Sequence, residues 1–197
     1  MAENFVSRKD RIIASAIEII SESGLSALTT HNLAIKENTS DGLLYKYFAG
    51  IDEVLVEVVD YYFRFDDSLR QTIESKNETY TQKLHDYLEA YATYYDNYYA
   101  LSTLMLQYEE LLHNIYTRER VSKYVTDRLK FLEKLFREAI LAGEIIDKLT
   151  PEELANNMTG LIMAHVLNRR IIYKNKSFKN EIMDNFNKWL SLIKVSE

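Results

Sequence analysis

Residues 29–48 read TTHNLAIKENTSDGLLYKYF, and two helix starts are written into them. Thr29 is a capping residue for a short helix to about Glu37. Asn38 tolerates the left-handed backbone that ends such a helix. Ser40 caps a third helix that the pattern carries from Asp41 to about Phe48. Two short helices joined through a turn former make a helix-turn-helix pattern.

Upstream, Ser7 can cap a first helix to Ser23, with Ile12, Ile13, Ala16, Ile17 and Ile20 on one stripe and Gly24 at its end. Downstream, Asp52 caps a long helix to about Ser75, with Val54, Leu55, Val58, Val59, Tyr62, Phe65 and Leu69 on one face. After a polar loop at Lys76–Thr79, a fifth helix carries Tyr80, Leu84, Tyr87, Leu88, Tyr91, Tyr94, Tyr95 and Tyr98. A shorter helix is expected at Leu101–Leu112 and a longer one from Val121 to Ala142, closed by Gly143. Thr150-Pro151-Glu152-Glu153 is the strongest start signal: threonine caps, proline takes the first helical position, and Glu153 completes a capping box. That helix is expected to reach about Tyr173, and a last one holds Phe178, Ile182, Met183, Phe186, Trp189, Leu190 and Ile193. The reading is an all-α chain of about nine helices. Residues 1–50 form a three-helix helix-turn-helix domain, and residues 51–197 a larger helical domain.

Composition agrees. One proline and five glycines in 197 residues leave few breaks, whereas an all-β chain needs many turn residues. No cysteine is present, which removes disulfides and thiolate metal sites and suits a reducing cytosol. Met1–Asp10 has no apolar core of a secretory signal, and the apolar patch Leu161–Leu167 is far short of a bilayer span. The chain reads as soluble and cytoplasmic, with no membrane partner. Its net charge of −6 speaks against nucleic acid taken alone, but the acids concentrate outside the first fifty residues. There, Arg8, Lys9, Arg11, Lys36 and Lys46 nearly balance Glu3, Asp10, Glu18, Glu22, Glu37 and Asp41.

The N-terminal segment resembles the TetR-type transcriptional regulators over about residues 8–56. Arg11-Ile12-Ile13 with Ala16, then Gly24, Thr29 and Leu33-Ala34, follow the family spacing without a gap. Ser40 and Gly42-Leu43-Leu44-Tyr45-Lys46-Tyr47-Phe48 match its recognition helix. The resemblance implies DNA contact by Thr29, Thr30, Ser40, Asp41, Gly42, Leu43, Tyr45, Lys46 and Tyr47. Helix starts and hydroxyls would seat phosphates, and the first residues of the third helix would read base edges. It also implies a homodimer that represses from a palindromic double-stranded operator until a small-molecule effector releases it. Three positions differ from the family pattern. The turn is Glu37-Asn38-Thr39 rather than Ala-Gly-Val, Ile51 stands where a lysine is common, and Asp41 adds an acid to the DNA face. Weak non-specific binding with strong salt dependence is expected from these.

In the larger domain, Tyr80–Tyr99 holds seven of the fifteen tyrosines. Tyrosine joins an apolar body to a polar tip, which suits a core edge or a ligand cavity. The resemblance places an effector pocket in this region. Tyr62, Phe65, Tyr91, Tyr95, Met105, Tyr108 and His165 are its expected walls, for a largely apolar or aromatic molecule. Simple packing is the competing role for each residue. Asp66, Asp67, Asp96, Glu109 and Glu110 would suit a lipophilic cation. Leu161–Leu167 is apolar around most of its helix and must bury two faces. Gly160, Leu161, Phe186, Trp189, Leu190 and Ile193 are therefore expected at a dimer interface.

Rival classes have less support. The four histidines, His31, His85, His113 and His165, form no metalloprotease-type cluster, and no glycine-rich phosphate loop occurs. Glu109 and His113 share a helix face but read as a surface pair. No catalytic residue, metal or cofactor is therefore assigned. A helical protein-binding module, or a relative that has lost DNA binding, would account for the acidic surface. The first does not explain the helix-turn-helix spacing; the second, acting as a ligand- or protein-binding module, is the alternative reading.

Overall fold

Ser7 opens the first helix as its spacing requires, its Oγ accepting from the Asp10 N–H at 3.1 Å. In a computed structural model, which describes residues 7–172 and 176–195, that helix is α1 (Arg8–Ser23). It ends at Gly24, where φ is +86°. A 3-10 turn (Leu25–Ala27) leads to α2 (Thr30–Lys36) and α3 (Asp41–Leu44). Next come α4 (Ile51–Ser75), α5 (Tyr80–Asn97), α6 (Tyr99–Ser102), a 3-10 turn (Thr103–Gln107), α7 (Tyr108–His113), α8 (Arg118–Leu141), α9 (Pro151–Ile171) and α10 (Phe178–Ile193). The chain is all-α. Among the described residues the only strand-like feature is an isolated bridge between Ile145 and Lys194. No helix among them is long and apolar enough to cross a membrane.

Several boundaries differ from the sequence reading. α3 is a single turn, because Lys46 and Tyr47 donate to carbonyls three residues back rather than four. α4 starts one residue earlier than its expected cap, so Asp52 lies in the first turn, where a carboxylate complements the free N–H groups. The helix expected at Leu101–Leu112 is broken into α6, a 3-10 turn and α7. The capping box at α9 forms in full: Thr150 Oγ1 accepts from the Glu153 N–H at 3.2 Å, and Glu153 accepts from the Thr150 N–H at 2.8 Å. The expected end of that helix at Tyr173 lies outside the described residues.

Two compact units result, divided otherwise than at residue 50. One comprises residues 1–63 with 100–122, and the other residues 64–99 with 123–197. Both α4 and α8 therefore contribute residues to each. The first unit closes over Ile12, Ala16, Ile20, Leu33, Leu44, Phe48, Val58 and Tyr62. The start of α4 belongs to it because its apolar face supplies much of that core. The second closes over Leu84, Tyr87, Leu88, Tyr95, Phe136, Ile162 and Phe186, with α10 packed on α5 and α9. Both ends of α5 are held there by charged side chains. Glu144 accepts from the N–H groups of Tyr80 and Thr81 at 3.0 and 2.7 Å. Arg169 donates to the carbonyls of Tyr95 and Asp96 at 2.8 and 3.1 Å. These pairs satisfy backbone groups that a helix end leaves open.

Candidate functional site

The helix-turn-helix is set by one residue. Asn38 takes a φ of +49°, the only non-glycine positive φ among the described residues. Asn38 N–H donates to Ile35 and Thr39 N–H to Ala34, which closes the end of α2. The chain leaves that turn with Leu44 and Phe48 pointing into the core beside Leu33. Tyr45, Lys46 and Tyr47 are left in solvent. Tyr45 is 57% exposed and Tyr47 40%, against 3% for Phe48. Large aromatics held outward by buried neighbours on a fixed turn are the mark of a contact surface rather than of a core.

Around this strip, Thr29, Ser40, Asp41 and Gly42 are exposed, and Thr30 and Leu43 are half-buried. Thr29 Oγ1 caps α2 by accepting from the Asn32 N–H at 3.1 Å. Ser40 precedes α3 without making a side-chain cap bond, so its hydroxyl is uncommitted there. A Cβ placed on Gly42 would meet nothing closer than Ser40 Oγ at 4.0 Å. No neighbouring helix demands the glycine, so any need for closeness comes from outside the chain.

Two basic residues of the helix-turn-helix segment are held by acids of the same unit. Lys36 Nζ lies 2.9 Å from Glu18 and 3.5 Å from Glu22. The hydrogen bond to Glu18 is the main reason its pKa is raised. Lys9 pairs with Glu57 and lies 5.3 Å above the Phe48 ring. Its pKa is raised chiefly by that pairing. Lys46 has no such partner among the described residues. Glu37, a departure from the family pattern, accepts from Ser15 Oγ at 2.6 Å and so ties α2 to α1. The sequence reading missed this role because the two residues are far apart in the chain. With two of its cations neutralised internally, the unit has fewer charges to exchange for counterions.

The seven residues expected to line an effector pocket divide between the units: Tyr62, Met105 and Tyr108 in the first, Phe65, Tyr91, Tyr95 and His165 in the second. Tyr62 and Met105 are buried, and Tyr108 donates to the Tyr62 hydroxyl at 3.2 Å. Tyr91 and Tyr95 are buried with ring centroids 4.5 Å apart. His165 Nδ1 lies 2.9 Å from the Leu161 carbonyl of its own helix. A groove of about 580 Å³ between α4 and α5 takes only Phe65 of the seven. It is otherwise walled by residues such as Leu69, Ile73, Ala90, Tyr94 and Tyr98, with Lys76, Asp86 and Glu89 in its lining. Phe65 stacks on Tyr94 at 3.8 Å.

The carboxylates offered for a lipophilic cation are otherwise engaged or exposed. Asp66 pairs with Arg128 and Arg70, Asp67 with Arg70, and Asp96 with Arg169. Glu109 and Glu110 are exposed. None of the five borders the groove, whose lining carboxylates are instead Asp86 and Glu89. His85, Asp86 and Glu89 come close enough together to ligate a metal. However, Lys76 sits on Asp86, and Lys179 is 2.9 Å from Glu89, so both carboxylates already have cationic partners. Glu109 and His113 are 3.8 Å apart and largely exposed, a surface pair.

On α9 and α10 the residues expected at a dimer interface separate into two groups. Phe186, Leu190 and Ile193 are buried within the chain, so they support the helix from behind rather than facing a partner. Leu161 and Trp189 are half-buried, and Gly160 is exposed with nothing of its own chain within 4 Å of an added Cβ. Met163 and Leu167, within the apolar stretch Leu161–Leu167, are exposed, as are Ile171 and Leu192, which the sequence reading did not single out.

Residues 12–58 match the family model described as bacterial regulatory proteins, tetR family. No curated protein matches the sequence. Among solved structures, the ketosteroid transcriptional regulator KstR2 of Mycobacterium tuberculosis superposes with a TM-score of 0.83 at 15% identity, covering 96% of each chain. FadR of Bacillus subtilis, in complex with stearoyl-CoA, gives 0.70 at 21% identity over 88% of this chain and 95% of its own. A transcriptional regulator from Saccharomonospora viridis, in complex with choline, gives 0.77 at 16% identity over 96% and 98%. At these identities the likeness is one of fold.

Proposed function

We propose that this chain is a member of the tetR family of bacterial regulatory proteins and acts as a homodimeric, sequence-specific DNA-binding regulator that represses until a small-molecule effector releases it. The observation that carries the reading is the outward strip Tyr45-Lys46-Tyr47, held by the buried Leu44 and Phe48 behind the Asn38 turn. Phenolic hydroxyls and one ammonium suit phosphate contact, and the exposed residues before them suit base edges.

The exposed apolar residues of α9 and α10 support dimerisation. Met163, Leu167 and Ile171 recur at a spacing of four along α9 and are exposed, and Leu192 is an exposed apolar residue of α10. A second copy of the same surface is the partner that a two-fold contact requires. Two recognition helices about one DNA turn (~34–36 Å) apart then call for a palindromic operator. The solved relatives carry stearoyl-CoA in one case and choline in another, and the aromatic second unit is where an effector of this chain is placed. Effector binding would be read out through α4, whose residues belong to both units.

Selection of random duplex DNA on the purified protein tests this. A recovered palindrome that is lost in a Tyr45→Ala, Lys46→Ala variant is the expected result. A folded, dimeric protein that enriches no sequence would overturn it and leave a ligand- or protein-binding module.

A further inference from the structure

We infer that the Asp41 carboxylate selects a cytosine in each half of the operator by accepting a hydrogen bond from its exocyclic amine. The inference rests on the DNA-binding reading above and adds to it the identity of one base pair. Asp41 is the first residue of α3, is exposed, and its carboxylate makes no hydrogen bond or ion pair with any described residue. Other acids of this unit have internal work. Glu18 and Glu22 hold Lys36, Glu37 holds Ser15, and Glu57 holds Lys9. Asp41 is left facing solvent on the same short segment as Tyr45, Lys46 and Tyr47.

A carboxylate on a DNA-facing surface repels every phosphate near it and gains nothing from guanine or thymine, whose major-groove edges present acceptors. The groove offers it two donors, the amines of cytosine and adenine. Adenine's amine is flanked by the acceptor N7, which repels a second acceptor, so cytosine is the partner that satisfies the charge. Space permits the approach. Gly42 adds no side chain beside Asp41, and the region where its Cβ would stand is open except for Ser40 Oγ. The weak positive charge around it strengthens the effect. With Lys9 and Lys36 neutralised internally, fewer cations offset the cost of Asp41 against a wrong base. The carboxylate thus lowers affinity for duplex in general and restores it only where cytosine is correctly placed.

The test is selection of random duplex on the full chain and on Asp41→Ala, Asp41→Asn and Asp41→Glu, each shown to be folded and dimeric. Titration then compares the recovered operator with a copy in which the assigned C·G pairs are replaced. Wild type is expected to discriminate at that position by roughly five- to 150-fold, the range for one good base contact. Asp41→Ala should lose that preference while binding random duplex more tightly. Asp41→Asn should move it toward adenine, which an amide pairs at N6 and N7, and Asp41→Glu should keep it for cytosine. The same base preference in Asp41→Ala as in wild type would overturn the inference and leave the DNA-binding reading intact. No enrichment by wild type would overturn both.

Discussion

Asp66 and Arg128 meet in the interior of the second unit, with Asp66 Oδ2 3.1 Å from Arg128 Nε and both residues almost wholly buried. The other carboxylate oxygen accepts from the Tyr87 hydroxyl at 2.6 Å, and Arg70 Nε lies 3.5 Å from Oδ2. One carboxylate on α4 therefore joins α5 and α8. A buried ion pair is a poor source of net stability, yet removing one partner strands the other charge in a low dielectric. Asp66→Ala is expected to lose about 3–5 kcal/mol in urea denaturation. Tyr87→Phe, which removes one hydrogen bond and no charge, should lose about 1 kcal/mol. Burial, aided by Asp66, holds the Tyr87 phenol well above its usual 10.0. Its contribution is complete below pH 10 and is lost as pH rises toward the raised value. In an ultraviolet titration, Tyr87→Phe should lose one late-ionising tyrosine.

Salt dependence separates committed cations from free ones. Lys46→Ala is expected to reduce the slope of log K against log salt by about 2 per dimer, one phosphate from each protomer. Lys36→Ala should leave the slope unchanged, because Glu18 and Glu22 already hold that ammonium. Equal changes in the two variants would contradict the assignment.

The turn at Asn38 constrains what can replace it. Asn38→Gly should be tolerated, since glycine takes a positive φ without penalty. Asn38→Val should cost at least about 1–2 kcal/mol in thermal or urea unfolding. It should also weaken operator binding, because α3 is set by the angle at which the chain leaves that turn.

Acid should loosen the start of α9. The hydrogen bond from the Thr150 backbone N–H, followed by that from its side chain, holds the Glu153 carboxyl below its usual 4.5. That contribution is present at neutral pH and lost as pH falls through and below the ordinary carboxylate range. Glu153→Gln should show a smaller loss of melting temperature between pH 7 and pH 3 than wild type.

The two faces of the last helices should respond in opposite ways to charge. Leu167→Glu, on the exposed side at 45% exposure, is expected to give a folded monomer in sedimentation. Leu190→Glu, at 8%, should unfold the second unit, because an unpaired carboxylate would be buried there. A dimeric Leu167→Glu protein would place the interface elsewhere.

Local chemistry was legible in the chain. Ser7, Thr29 and Thr150 cap the helices their spacing assigned, Gly24 and Gly143 take positive φ, and Asn38 makes the left-handed turn. Each depends on contacts within a few residues, so the sequence alone determined these helix ends, the helix-turn-helix and the all-α class. The partners of the long side chains were not legible. Lys36 on Glu18, Ser15 on Glu37 and Arg128 on Asp66 join residues that only packing brings together. The same holds for which apolar residues face inward. Phe186, Leu190 and Leu192 look alike as sequence, and only the rotation of α10 against α5 and α9 buries the first two and exposes the third. Tertiary structure thus decided which charges remained free for DNA and which apolar side chains remained free for a partner. Both depend on what is left over after the core has closed.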